Sequence, residues 1–235
     1  MGSEVEGGAV EPSKSDGSAT RSQFEDQQLR NPERVIMLSD GVFAIVLTIL
    51  VLEIKVPTDL ASNSLRASFH ELRPTLEAWI VSFLITGMYW VAHRDIFARV
   101  RSVNRDLVWL NLLFLLPCAL IPFGASALGE YPNESLALQL YGVVVIAASV
   151  MRVVLYWYVV RHPKLLWPQA ITGRSTQGFI LSSIPIVAYL IAMAVAYASP
   201  TASVILFLSV PVVYFLAVTI ARERGGAHAE AEDFS

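Results

Sequence analysis

The sequence predicts an all-α membrane protein with six transmembrane helices per subunit. Three observations carry that prediction. Of the 235 residues, 54% are hydrophobic, and the mean hydropathy of +0.54 is high for a soluble domain. The charged residues gather in short stretches between long apolar runs, so the net charge of -3 says little by itself. Six of those runs reach about the 20 residues that a helix needs to cross a bilayer. They do not alternate with the period of two of a barrel strand, and lipid admits only helices or closed barrels.

In chain order, residues 1–32 read as a disordered tail, rich in Gly, Ser, Glu and Asp with one aromatic residue. They lack the apolar core behind a basic start that marks a signal peptide. The six spans are expected at 35–56, 75–97, 107–128, 136–160, 176–198 and 202–222, within a transmembrane domain at 33–224. A second acidic, disordered tail is expected at 225–235. Spans three, five and six carry Pro117, Pro122, Pro185 and Pro211, which imply kinks or local unwinding. Span one has no proline after its start and should be the straightest.

Positive charge sets the orientation. With both termini in the cytoplasm, 13 of the 17 Lys and Arg fall on inner segments. These include Arg34, Arg94, Arg99, Arg101, Arg105, Arg161 and Lys164. The outer segments hold only Lys55, Arg66 and Arg73, and Arg152 falls inside span four. The outer Asn133-Glu134-Ser135 fits a glycosylation acceptor, which has meaning only in a eukaryotic cell. Cys118, the lone cysteine, lies in an apolar run as a small packed residue and leaves the redox compartment open.

Span one carries the most information. At 100° per residue, Ile49 and Leu52 lie within about 40° of Ile45, with Thr48 about 60° from it. Asp40 lies about 140° from Ile45 and Ser39 about 120°. The apolar stripe and the carboxylate therefore face different ways. Asp40 sits roughly 8 Å in from the helix start at 1.5 Å per residue. Trp90 and His93 of span two and Asn111 of span three fall at the same depth.

Each of these groups is costly alone in hydrocarbon, and together they can satisfy one another. A network of Ser39, Asp40, Trp90, His93 and Asn111 is expected, with Arg34 nearby, clamping spans one to three. Simpler readings stay open. Ser39 or Asp40 can cap a helix that starts later, His93 can be interfacial, and Trp90 can belong to an aromatic belt. Arg152 needs a buried partner or snorkels toward the cytoplasm. Glu53 and Lys55 stand at the outer end of span one, either tuning ions or merely solvated.

The motif set argues against an enzyme. There is no Gly-x-Ser-x-Gly, no His-Glu-x-x-His and no paired Asp motif on facing helices. Acidic residues inside the spans are too few for a metal site, and scattered loop arginines give no support for nucleic-acid binding. A proton-coupled carrier or proton-conducting channel using Asp40 and His93 is the alternative to an ion channel.

Arg34-x-x-x-Leu38-Ser39-Asp40, followed by Gly41-Val42-Phe43-Ala44-Ile45, resembles the first-helix signature of the transmembrane protein 175 family of potassium channels. That family has Arg-x-x-x-Phe-Ser-Asp, so Leu38 is a conservative departure. Trp90-x-x-His93 and the Asn111–Phe123 run are similar to the family as well, and the resemblance covers about 33–222. It implies a homotetramer in which the first helix of each subunit lines a central pore. The pore would be narrowed at positions matching Ile45, Ile49 and Leu52, with Thr48 contributing to potassium preference. Asp40 and its neighbours would brace that helix from behind. The single copy of the motif resembles the prokaryotic form, in the cell's inner (plasma) membrane. The implied partners are lipid and monovalent cations, with no cofactor beyond the permeant potassium ion. An apolar constriction gates by dewetting and selects modestly.

Overall fold

A computed structural model describes residues 31–54, 65–171 and 176–233, with 65–71, 171, 176–181 and 217–233 described by their backbone alone. Among the described residues the protein is all-helical apart from one isolated β-bridge. The helices are α1 (Pro32–Leu52), α2 (Leu65–Phe97), α3 (Arg105–Ala119), α4 (Ile121–Glu130), α5 (Ser135–Arg161), the short α6 (Pro168–Ile171), α7 (Thr176–Val195) and α8 (Pro200–Asp233). Four stretches are long and apolar enough to cross a membrane: Pro32–Leu52, Leu72–Phe97, Arg105–Glu130 and Ser135–Arg161. The apolar stretches Ser182–Val195 and Pro200–Leu216 are shorter within the described residues.

Local chemistry places the helix ends. The side chain of Asn31 accepts the backbone N–H of Glu33 at 3.0 Å, with Pro32 starting α1 behind it. That satisfies one otherwise orphaned donor with a favoured cap residue, and proline at the first turn forfeits no helical bond. Asn104 does the same for Leu107 at 3.0 Å and starts α3. The third apolar run is two helices, not one. Pro117 and Pro122 lack the N–H groups that would carry the ladder through, and the chain breaks at Leu120 between α3 and α4. Pro185 and Pro211 lie inside α7 and α8. The backbone of α8 is helical to Asp233, where a tail was expected from 225. Its last stretch is rich in alanine and glutamate, both strong helix formers. Tail residues 1–30, Lys55 and Arg174 lie outside the described residues.

The helices pack with α5 between α3, α4 and α7, and with α1 against α2 and α3. Aromatic side chains fill the core, and Tyr89, Tyr141, Tyr189, Phe114 and Phe207 are fully buried. The hydroxyls of Tyr89 and Tyr141 find interhelical partners, while that of Tyr189 has none among the described residues. Tyr89 donates to the Val145 carbonyl at 2.6 Å and sits 2.8 Å from Ser149 Oγ, while Ser82 donates to Tyr141 at 3.0 Å. At one end of the bundle two loops are tied together. Arg101 N–H donates to the Leu165 carbonyl and Trp167 N–H to that of Arg99, around the Val100–Leu166 bridge.

Small residues let α4 come close to its neighbours, as is usual between membrane helices. A Cβ placed on Gly129 would lie 3.1 Å from the Thr75 Cα of α2, a backbone atom that cannot swing away. Gly129→Val is expected to cost about 1–3 kcal/mol by overpacking. Thermal unfolding should show it against Gly87→Ala, where a new Cβ meets nothing within 4 Å.

Candidate functional site

Helix α1 has two unlike faces. Ser39, Phe43, Val46 and Leu50 recur at helical spacing and are buried against the rest of the subunit. The other face is open. Only 28% of the apolar stretch of α1 is buried, against 44% or more in the other three long spans.

The buried face starts with a hydrogen-bonded chain. Ser39 Oγ donates to the Val35 carbonyl at 2.9 Å and accepts from Asn111 Nδ2 at 2.9 Å. Asn111 Oδ1 then lies 2.8 Å from His93 Nε2. Because the Asn111 oxygen can only accept, this geometry puts the histidine proton on Nε2. Each member is at most 1% exposed. The His93 ring stacks on Phe97 at 4.5 Å and on Phe114 at 5.6 Å, with Phe43 tilted at 6.0 Å. His93 is therefore enclosed in an aromatic box rather than interfacial. The chain joins α1, α2 and α3 at one depth.

Asp40 stands apart from it. Its carboxylate is exposed and Oδ1 accepts from Trp90 Nε1 at 2.8 Å. The single network expected from the sequence is thus two units. Consecutive helical residues point 100° apart, so Ser39 meets α3 while Asp40 meets α2. Arg34 is exposed and makes no side-chain hydrogen bond or ion pair among the described residues.

Of the two readings of Arg152, the structure shows the buried one, with a partner that the sequence did not identify. Arg152 is 3% exposed and does not snorkel. Its guanidinium donates to the carbonyl of Ser182 on α7 and, at 3.4 Å, to the Ser182 hydroxyl. The aromatic box around His93 was missed too. Its one sequence signal is that Phe43 follows Ser39, and Phe97 follows His93, by one helical turn.

On the open face Ile45 is 58%, Ile49 39% and Leu52 69% exposed. Thr48 stands exposed among them, and its hydroxyl donates back to the Ala44 and Ile45 carbonyls at 2.9 Å each. With the proton turned into the helix, the oxygen lone pairs are left facing outward, where they can act only as acceptors toward a cation or water. Glu53 caps the end of α1 half-buried.

Residues 34–122 match the family model described as the endosomal/lysosomal potassium channel TMEM175. A protein of Streptomyces collinus named a potassium channel is 37% identical over 150 residues, covering 61% of this chain and 73% of that protein. The crystal structure of a lysosomal potassium-selective channel TMEM175 homolog from Chamaesiphon minutus superposes with a TM-score of 0.67 at 28% identity. That superposition covers 79% of this chain and 96% of the other. The mouse endosomal/lysosomal proton channel TMEM175 is 25% identical over 156 residues, 66% of this chain but 31% of the mouse protein. With α1, its Ser39–Asn111–His93 chain and its Trp90–Asp40 bond inside the matched segment, this membrane protein belongs to the TMEM175 potassium channel family.

Proposed function

We propose that the protein is a potassium-permeable, leak-type cation channel whose ion path is lined by α1 from several copies of the chain. The observation that carries this reading is the division of α1 into a face bonded into the subunit and a face left open. The open face holds apolar Ile45, Ile49 and Leu52 around one threonine acceptor. Copies around a closed symmetry axis would bring the open faces together, and four copies match the reading from the family resemblance. The narrow point is then apolar and conducts only when wetted. In this reading the chain has six membrane-crossing helices, both termini in the cytoplasm and a place in the prokaryotic inner membrane. The decisive experiment is single-channel recording of purified protein in lipid under opposed K⁺ and Na⁺ gradients. A channel gives discrete currents with a reversal potential drawn toward that of K⁺, and the absence of any unitary current defeats the proposal.

The mammalian relatives named proton channels favour a second reading, proton conduction or proton-coupled transport through Asp40 and His93. Asp40→Asn separates the two. An asparagine keeps an oxygen that accepts from Trp90, so folding is expected to change by less than about 1 kcal/mol, and K⁺ current should persist. Proton-coupled transport, which needs a titrating carboxyl, would be abolished in a proton-flux assay on the same vesicles.

A further inference from the structure

A groove of 780 Å³ runs between α1, α2 and α8 on the outside of the subunit. Leu47 of α1, Leu84 of α2, and Val212 and Phe215 of α8 wall it, and Arg94 stands at one end. It passes Gly87, where a new Cβ would meet nothing within 4 Å. The missing side chain is part of what leaves this space open. Arg94 is exposed, and its side chain makes no hydrogen bond or ion pair among the described residues. Asp95 beside it is half-buried and engaged in another contact. Trp90, the donor to Asp40 of α1, lines the same groove.

We propose that this groove seats one acyl chain of an anionic phospholipid, with the lipid phosphate on Arg94. An apolar trough ending in a guanidinium that no carboxylate among the described residues pairs, although Asp95 lines the same groove, matches that molecule in both shape and charge. A zwitterionic lipid offers the chain but carries a positive group beside its phosphate. The Arg94 end is also the basic end of the bundle, with Arg99, Arg101, Arg105 and Arg161, so the leaflet there is the cytoplasmic one. Because Leu47 and Trp90 connect the groove to α1, the bound lipid supports the helix assigned above to the ion path. That regulatory consequence rests on the channel reading, whereas the binding itself does not.

The test is native mass spectrometry of the purified protein after exchange into equal parts phosphatidylglycerol and phosphatidylcholine. Wild type should retain phosphatidylglycerol preferentially. Arg94→Gln should lose about five-fold of that preference, given the contribution of one basic residue near an anionic surface, while retaining a similar total of lipid. Gly87→Leu should lose bound lipid altogether, with both variants melting near the wild-type temperature. Equal retention of the two lipids by wild type overturns the proposal. So does a Gly87→Leu protein that keeps its lipid but changes oligomeric mass, because a second copy of the chain would then fill the groove. All of these outcomes are read as masses, so a failure of the channel reading in bilayers leaves them standing.

Discussion

Asn111→Leu is expected to be the most destabilising single change in the polar layer beneath α1. Leucine resembles asparagine in size, so the effect isolates the hydrogen bonds. Ser39 keeps its bond to the Val35 carbonyl, but His93 loses the only acceptor seen at its Nε2 among the described residues. That N–H is then left unpaired on a ring that is 1% exposed and stacked on Phe97 and Phe114. Orphaning a buried donor costs about 1–3 kcal/mol. Interhelical hydrogen bonds in membranes average only about 0.6 kcal/mol, because the unfolded helices also find partners. The enclosed site argues for the upper part of the first range. Thermal unfolding in detergent should show a drop of several degrees. His93→Phe in the same background should recover much of it, since removing both partners removes the unpaired group. A melting temperature for Asn111→Leu equal to that of wild type would show that the chain does not hold α1, α2 and α3 together.

Ile45→Asn should have the opposite profile, with a large effect on conduction and almost none on the subunit. Ile45 is 58% exposed and lies outside the buried face of α1, so its loss opens no cavity in the subunit core. In the proposed pore, one substitution places an amide in every copy around the axis. An amide favours water over an apolar lining by about 0.5–2 kcal/mol. Four of them lower the barrier to wetting by roughly 2 kcal/mol or more, which is at least about tenfold in open occupancy. Single-channel recording should therefore show raised open probability or conductance together with weakened K⁺ over Na⁺ preference. Unchanged currents would remove Ile45 from the constriction. Reduced melting temperature with unchanged currents would mean that its open face is covered by packing instead.

Both predictions rest on α1, the element most legible in the sequence. Its wheel separates Ile45, Ile49 and Leu52 from Ser39 and Asp40, because 100° per residue is a property of the helix and not of its surroundings. The depth of Trp90, His93 and Asn111 was readable for a similar reason, since length along a helix is countable. Which of them touch was not readable. Ser39 and Asp40 are neighbours in the chain, yet they bond to different helices. Arg34, grouped with them by sequence, joins neither. Arg152 makes the same point from the other side. Its burial could be suspected from span four, but its acceptor is a main-chain carbonyl, and every residue carries one of those.

The sequence by itself determined that the chain is helical and membrane-embedded, because apolar run length and helical period are local quantities that lipid leaves little freedom to reinterpret. It also determined which side of α1 is polar. Only the tertiary structure decided that the polar side splits into a buried Ser39–Asn111–His93 chain and an exposed Trp90–Asp40 bond, that the third apolar run breaks at Leu120, and that Arg152 donates to Ser182. Those outcomes depend on rotations between helices, which are set by the packing of Phe43, Phe97, Phe114 and the core tyrosines across elements far apart in the chain.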